Sequence, residues 1–231
     1  MFEYLFNNDT QDIGNRVSEW AQKDEPALSA HCQEVSRQTD TSSLAVQREC
    51  VAKGNAAKAV LTAMGEIIKE LLGALSSSRE VFHAQNAKEN FPTVCRAIIK
   101  IEEERQMLLS CISDLTYARR EVAKEVAKVN SVLHFLSIAG RAAKDDARTK
   151  YTQAAALTES AHAHLKKCDT DLCELQKFCM TFVEGQLSVF VRELRGAADF
   201  NHAGEALDKP RIRALCGEVL LLINRCPNIT F

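Results

Sequence analysis

Two clusters of side chains have the residue types that bind metals. His162, His164 and Cys168 lie within seven residues of one another, and imidazole with thiolate is a ligand set for zinc. On a helix, however, His164 and Cys168 share a face whereas His162 points elsewhere, so a closed tetrahedral site would need ligands from other segments. The run Glu102–Glu104 lacks the histidine three residues later that a di-iron carboxylate site requires. We therefore expect no metal and no cofactor.

The nine cysteines are a second possible source of chemistry, and we predict that they have a structural role. Their number is odd, no two have the CxxC spacing, and the N-terminal segment lacks the basic start and apolar run of a signal peptide. Such cysteines are typical of reduced thiols that fill a core. A cysteine nucleophile also needs a neighbouring histidine in a polar cleft, and the phosphate-binding and nucleophile-elbow motifs are absent from the sequence. The sequence predicts that the protein is not an enzyme.

The elements that carry these residues are predicted to be helices throughout. The 231 residues include only 9 glycines and 4 prolines, too few for the frequent turns of a β sandwich or barrel. Apolar residues recur every three or four positions along most of the chain, which is the helical period. The net charge of −2 excludes a generally nucleic-acid-binding protein, and no apolar run is long enough to span a bilayer.

The breaks in the apolar pattern predict three long helices with short helices at both ends. Breaks are expected near Pro26, within 86–92, and at 168–171, with a bend or break at Gly140 and a kink in the polar patch 39–43. The predicted divisions are a short helical segment at 1–24, a three-helix domain at 25–208 and a short helix at 209–231. The predicted fold is all-α: three long, kinked, antiparallel helices that form an elongated bundle.

Long helices with few neighbours leave part of their apolar stripe uncovered, and self-association is the simplest way to cover it. An antiparallel homodimer is therefore expected. Gly65 and Gly73 lie in an otherwise strong helical stripe, where each costs about 1 kcal/mol relative to alanine. Either a close approach of helices at a dimer contact or a simple kink accounts for them.

Positive charge is concentrated between Leu115 and Cys168, a stretch with ten basic and five acidic residues. A basic helix face can bind anionic lipid head groups. The alternative is a solvated face with Glu121–Lys124 and Glu125–Lys128 pairs. The predicted lipid-binding residues are Arg119, Arg120, Lys124, Lys128, Arg141, Lys144, Arg148, Lys150, Lys166 and Lys167.

Over about residues 25–208 the chain resembles the BAR-domain superfamily, in particular its amphiphysin- and arfaptin-like members. The resemblance rests on the helix pattern, the basic zone and two local features. Asp145–Ala154 (DDARTKYTQA) is similar to a step late in the second helix of that family. In the third predicted helix, spaced aromatic residues are followed by a histidine: Phe178, Phe182, Phe190, Phe200 and His202.

The resemblance implies a crescent-shaped dimer that senses or scaffolds curved membrane. Two features depart from the family: the overall charge is acidic, and the N-terminal segment has few cations for an inserting helix. We expect Phe2, Leu5 and Phe6 to pack on the bundle instead of entering the membrane. The sequence therefore predicts a cytoplasmic, peripheral membrane scaffold, with anionic phospholipid and other proteins as partners. The alternative is a helical adaptor or a cytoskeletal or trafficking assembly protein without direct lipid binding.

Overall fold

The computed structural model describes residues 10–77, 84–145, 147–199 and 209–227, and these residues are helical apart from short connections. This confirms the predicted all-α class. In chain order the elements are α1 (Thr10–Lys23), α2 (Glu25–Ser77), α3 (Ala84–Ala142), α4 (Arg148–Phe182), a π-helical turn (Val183–Leu187), α5 (Ser188–Asp199) and α6 (Lys209–Ile223). Helices α2 and α6 begin where the sequence placed the predicted boundaries at 25 and 209.

Two of the predicted breaks are wrong. Helix α3 begins at Ala84 and continues through Pro92, because Val94, Ala97 and Ile101 are buried on the same side and support the helix beyond it. The segment 168–171 lies inside α4, because its polar side chains form hydrogen bonds within the fold and do not cap a new helix. Asp169 accepts a hydrogen bond from Arg119, and Thr170 donates to the backbone carbonyl of Lys166.

The true connection between α3 and α4 lies a few residues after Gly140, where α3 ends at Ala142. As a result, the DDARTKYTQA motif spans this turn and the first residues of α4, and its expected position late in the second long helix is wrong. In the aromatic motif, Phe190 is buried and the rings of Phe178 and Phe182 stack with centroids 6.1 Å apart. Phe200 and His202 lie outside the described residues, as do Phe2, Leu5 and Phe6.

Contacts divide the described chain into two compact units. Unit 1 contains the residues up to Cys50 together with Ala118–Thr170, and unit 2 contains Val51–Tyr117 and the residues from Asp171 onward. The start of α2 is capped by Asp24, whose carboxylate accepts a hydrogen bond from the Ala27 amide at 3.2 Å. Pro26 lies in the first turn of α2, as predicted, where its missing N–H costs nothing.

The core of unit 1 is an apolar cluster to which α1, α2, α3 and α4 all contribute. Helix α1 contributes Ile13 and Val17. Phe135 of α3 is also in the cluster, with its ring nearly perpendicular to that of His31 at a centroid distance of 6.0 Å. Tyr151, near the start of α4, is 3% exposed and completes the cluster. The buried residues of α1 in this cluster make that helix part of unit 1.

A row of small polar side chains, the serine row, faces the interior of unit 1 along α2. Its members, Ser29, Ser36 and Ser43, are seven residues apart and fully buried. The Ser36 hydroxyl donates to the Ala154 carbonyl at 2.8 Å and also lies 2.9 Å from the Thr158 hydroxyl. Helix α2 continues unbroken through the polar patch 39–43, which the sequence had suggested as a kink.

Among the described residues of unit 2, the polar contacts that link the helices include the following four. Three involve α3: Lys53 with Asp114 at 2.9 Å, Gln176 with Thr116 at 2.6 Å and Arg195 with Glu102 at 2.6 Å. The fourth joins Arg211 of α6 to Glu193 of α5 at 3.0 Å. These contacts fix which stretches of the long helices lie side by side within unit 2.

The π-helical turn between α4 and α5 inserts one residue into a regular pattern of buried positions. Along α4 the buried residues alternate at spacings of three and four up to Cys179 and Phe182. The same alternation would next bury residues 186, 189 and 193. The buried residues are instead Leu187, Phe190 and Leu194, each one position later. The extra residue taken up by the wide turn keeps the apolar side of α5 toward the core.

Gly65 lies buried beside α6, with a different environment from that of Gly73. A Cβ atom at Gly65 would lie 3.8 Å from Ile223 and 3.9 Å from Leu220, which is ordinary van der Waals contact, and a Cβ at Gly73 meets nothing within 4 Å. Gly65 therefore faces a helix of its own chain at a distance that leaves room for a methyl group.

We expect Gly65→Ala to raise the free energy of unfolding by about 1 kcal/mol, because alanine has the higher helix propensity and the methyl group fits. Chemical denaturation would measure the change, with Gly73→Ala as the matched control in open space. A loss of stability in Gly65→Ala alone would show that α6 packs too closely for a methyl group.

Candidate membrane-binding surface

All ten predicted lipid-binding residues lie in unit 1, on the second half of α3, on α4 as far as its middle, and in the turn between them. Nine have exposed side chains, and Arg119 is partly buried. Sequence reasoning therefore found residues that belong to one unit. Their ability to attract an anionic surface depends on which of them are already neutralised by neighbouring acids.

Four of the ten cations form ion pairs within unit 1. The pairs are Arg119 with Asp169 at 2.9 Å, Lys124 with Glu121 at 2.6 Å, Lys128 with Glu125 at 3.0 Å and Arg148 with Asp145 at 3.2 Å. The Glu121–Lys124 and Glu125–Lys128 pairs are those that the alternative sequence interpretation proposed, and they are confirmed.

Glu125 is the acid that sequence reasoning misjudged, because its side chain is only 4% exposed. Its carboxylate also accepts a hydrogen bond from Ser42 of α2, so it links two helices inside unit 1. Lys128 pairs with this buried carboxylate from the surface. The expected run of free cations at Arg120, Lys124 and Lys128 is therefore interrupted, since Lys124 and Lys128 are both paired.

The other six cations have exposed side chains and form no ion pair with the described acids; they are Arg120, Arg141, Lys144, Lys150, Lys166 and Lys167. They fall into two groups. Arg120, Lys166 and Lys167 lie within one helical turn of the Arg119–Asp169 bridge. Arg141, Lys144 and Lys150 lie around the α3–α4 turn, and we call these three residues the basic turn.

The basic turn is held in place by the core beneath it. The amides of Ala147 and Lys150 donate to the carbonyls of Lys144 and Ala147, at 3.1 and 3.0 Å. A Cβ at Gly140 would lie 3.8 Å from the Cβ of Tyr151, so the end of α3 packs closely on the start of α4. Ala147 and Tyr151 are both buried in the core cluster. The cations therefore project from a supported turn.

Several acids moderate the positive charge near the basic turn. Asp145 is paired with Arg148, so these two charges offset one another. Glu25 lies close enough to Tyr151 to help raise the pKa of the phenol, a shift whose largest cause is burial. Counted along the sequence, residues 141–150 include four basic and two acidic residues, Asp145 and Asp146, so this stretch has a modest excess of positive charge.

The structure also places the residues that were considered for metal and cysteine chemistry, for which the sequence predicted no metal and a structural role. Cys168 is fully buried whereas His164 is exposed, so the two do not face a common site. In the part of the chain that the structure describes, no three ligating side chains are arranged to hold a metal ion.

The nine cysteines are free thiols, and five of them are buried. Burial raises the pKa of Cys32 and Cys179 to about 12 and that of Cys50 and Cys216 to about 11. Because the thiolate is the nucleophile, these four thiols are unreactive at neutral pH.

No protein-family model matches this chain, and no curated protein or solved structure shows significant similarity to it. Within the described ranges, no helix combines the length and apolar character needed to cross a membrane. The functional conclusion therefore depends on the geometry of the chain itself.

Proposed function

We propose that the protein is a peripheral, BAR-like helical scaffold that binds anionic membrane through the basic turn. The observation that carries this proposal is the set of three exposed cations, Arg141, Lys144 and Lys150, within ten residues at a tight turn between two helices. A turn that projects from a packed core can approach a lipid surface without unfolding. The proposal includes the elongated, antiparallel dimer of three long helices that the sequence predicted.

The expected strength of this attachment is modest. Each cation near an anionic leaflet contributes about 1 kcal/mol, so three contribute about 3 kcal/mol, or roughly a hundredfold in affinity. Salt screens this attraction. A single copy should therefore bind weakly and reversibly, and two copies on one surface should bind much more tightly.

A second candidate function is a helical adaptor that binds proteins and not lipid. The ion pairs favour it, because four of the ten cations are already neutralised by acids of unit 1. In this case the remaining cations would contact an acidic protein partner.

The test is cosedimentation with vesicles that contain phosphatidylserine, at low and moderate salt, with phosphatidylcholine vesicles as the neutral comparison. We expect salt-sensitive binding to the anionic vesicles. The triple variant Arg141→Glu, Lys144→Glu, Lys150→Glu should lose roughly a hundredfold or more in affinity, because three attractive charges become repulsive.

The matched control is Lys177→Glu, Arg192→Glu, Arg213→Glu, which makes the same charge change at exposed positions of unit 2. It should bind like the unmodified chain. Equal losses in both triple variants would assign the binding to net charge and not to the basic turn. Absence of binding by the unmodified chain at low salt would overturn the membrane proposal in favour of the adaptor.

A further inference from the structure

Three buried polar atoms of unit 1 form no hydrogen bond with the described residues. They are the Tyr151 hydroxyl at the start of α4, and the Ser29 hydroxyl and Oε1 of Glu25 at the start of α2. Tyr151 and Ser29 are only 3% and 1% exposed, and Glu25 is half-buried. A buried polar atom without a partner costs free energy, and native proteins seldom leave one unsatisfied. These three atoms therefore need a common explanation.

The three residues belong to one small region of the unit 1 core. Glu25, Ser29 and Cys32 follow one another at spacings of four and three along α2, so they lie on one face of that helix. Cys32 and Tyr151 belong to the same core cluster, in which the first turns of α2 and α4 pack together. The Tyr151 side chain therefore lies against the part of α2 that carries Glu25 and Ser29.

Electrostatic interactions confirm that Tyr151 is close to α2. Burial is the largest cause that raises the pKa of the Tyr151 phenol, and the charges of Cys32 and Glu25 raise it further. The pKa of Cys32 is raised mainly by burial and then by the charge of Glu25. Each of the three titratable groups thus senses at least one of the others, which requires that they be neighbours.

The chemistry of these atoms fits a water molecule. The Tyr151 hydroxyl lies beside the Glu25 carboxylate without a well-aligned hydrogen bond to it, and a water between two polar groups supplies the missing hydrogen bonds. The carboxylate oxygen only accepts, whereas each hydroxyl donates or accepts, and a buried water forms about three hydrogen bonds. A metal ion fits less well, since no three ligating side chains in the described ranges are arranged to hold one.

We propose that one internal water molecule binds between the start of α2 and the start of α4, held by Glu25, Ser29 and Tyr151. The water donates to Oε1 of Glu25, accepts a hydrogen bond from the Tyr151 hydroxyl, and uses its second proton for the Ser29 hydroxyl. Because Tyr151 directly follows Lys150, the water links α2 to the residue next to the basic turn. The site needs only the core of unit 1 and does not depend on lipid binding.

Oxygen-17 relaxation dispersion of the full chain in solution tests the proposal, because it counts long-lived internal waters. We expect the double variant Ser29→Ala, Tyr151→Phe to hold one internal water fewer than the unmodified chain, since a water with a single remaining partner is not retained. The matched control is Ser160→Ala, Tyr117→Phe, which makes the same two substitutions at exposed positions. It should hold as many internal waters as the unmodified chain.

Thermal unfolding distinguishes a hydrated site from a dry one by the sign of the change. If the water is bound, Tyr151→Phe removes a hydrogen bond and should lower the unfolding midpoint by roughly 2–4 °C. In a dry site the same substitution would remove a buried polar atom without a partner and would raise the midpoint. Tyr117→Phe is the reference, because the Tyr117 side chain is 55% exposed.

Circular dichroism should show the same helicity for all of these variants. An unchanged number of internal waters in the double variant would overturn the proposal, even if Tyr151→Phe lowers the midpoint, because a direct contact with Glu25 would then explain the loss. An equal loss of water in the control, or a higher midpoint for Tyr151→Phe, would also overturn it.

Discussion

Deletion of Gly185 is expected to leave the protein folded, with a thermal unfolding midpoint close to that of the unmodified chain. Gly185 lies in the π-helical turn, and a Cβ atom there would meet nothing within 4 Å. Removing one residue converts the wide turn to a regular α-helix. Leu187, Phe190 and Leu194 then follow Phe182 in the ordinary alternation of three and four, so their side chains keep their direction.

The matched control is deletion of Ala163, an exposed residue in the regular part of α4. This deletion should be severely destabilising, because it rotates the following residues by about 100° about the helix axis. Leu165 and Cys168, both fully buried, would turn away from the core of unit 1. Each buried side chain of this kind contributes about 1.5–3 kcal/mol, and a domain has only about 5–15 kcal/mol in total.

Circular dichroism and thermal unfolding of the two deletions provide the measurement. If deletion of Gly185 unfolds the protein as deletion of Ala163 does, the π-helical turn is required for a reason other than register. If both deletions are tolerated, the buried alternation along α4 does not determine stability.

Replacing Phe135 with alanine should cost about 3–5 kcal/mol of folding free energy, the usual range for a buried phenylalanine. Phe135 is 1% exposed and lies in the unit 1 cluster to which four helices contribute. The substitution would leave a cavity lined by helices. Because backbone hydrogen bonds hold those helices rigid, they could relax into the cavity only partly. Chemical denaturation followed by circular dichroism measures the loss.

Leu157→Ala is the comparison within the same unit, because Leu157 is 40% exposed on α4. It should cost less than about 1 kcal/mol, as is usual for surface substitutions. A cost for Phe135→Ala that is no larger than this would show that the unit 1 cluster does not stabilise the fold.

The helical class and most core positions were predictable, because the local sequence shows apolar residues at the spacing of three or four positions that is typical of a helix. The ends of α3 and α4 were harder to predict. Residues 168–171 have the types that cap a helix, yet Asp169 bonds to Arg119 fifty residues away and Cys168 is buried. The same residue types can cap a new helix or lie inside a continuous one, and only the packing of distant segments distinguishes these two cases.

The candidate site was predictable as a set of residues but not as a surface. The spacing of Glu121 before Lys124 correctly indicated an ion pair, because residues three apart are neighbours on a helix. The burial of Glu125 and its hydrogen bond from Ser42, eighty-three positions away in the chain, have no local signal. The exposure of Ile99 and Met107 is likewise set by which side of α3 the other helices cover.

The serine row has a further consequence for how the molecule fluctuates. Ser29, Ser36 and Ser43 bury little apolar area, whereas later in α2 the same sevenfold spacing gives Ala57, Met64 and Leu71. Hydrophobic stabilisation scales with the apolar area removed from water, so these three positions contribute little burial, and among their hydroxyls only that of Ser36 is hydrogen-bonded within the described chain. Local opening, and with it exchange of backbone amide hydrogens with solvent, should therefore begin in the first half of α2.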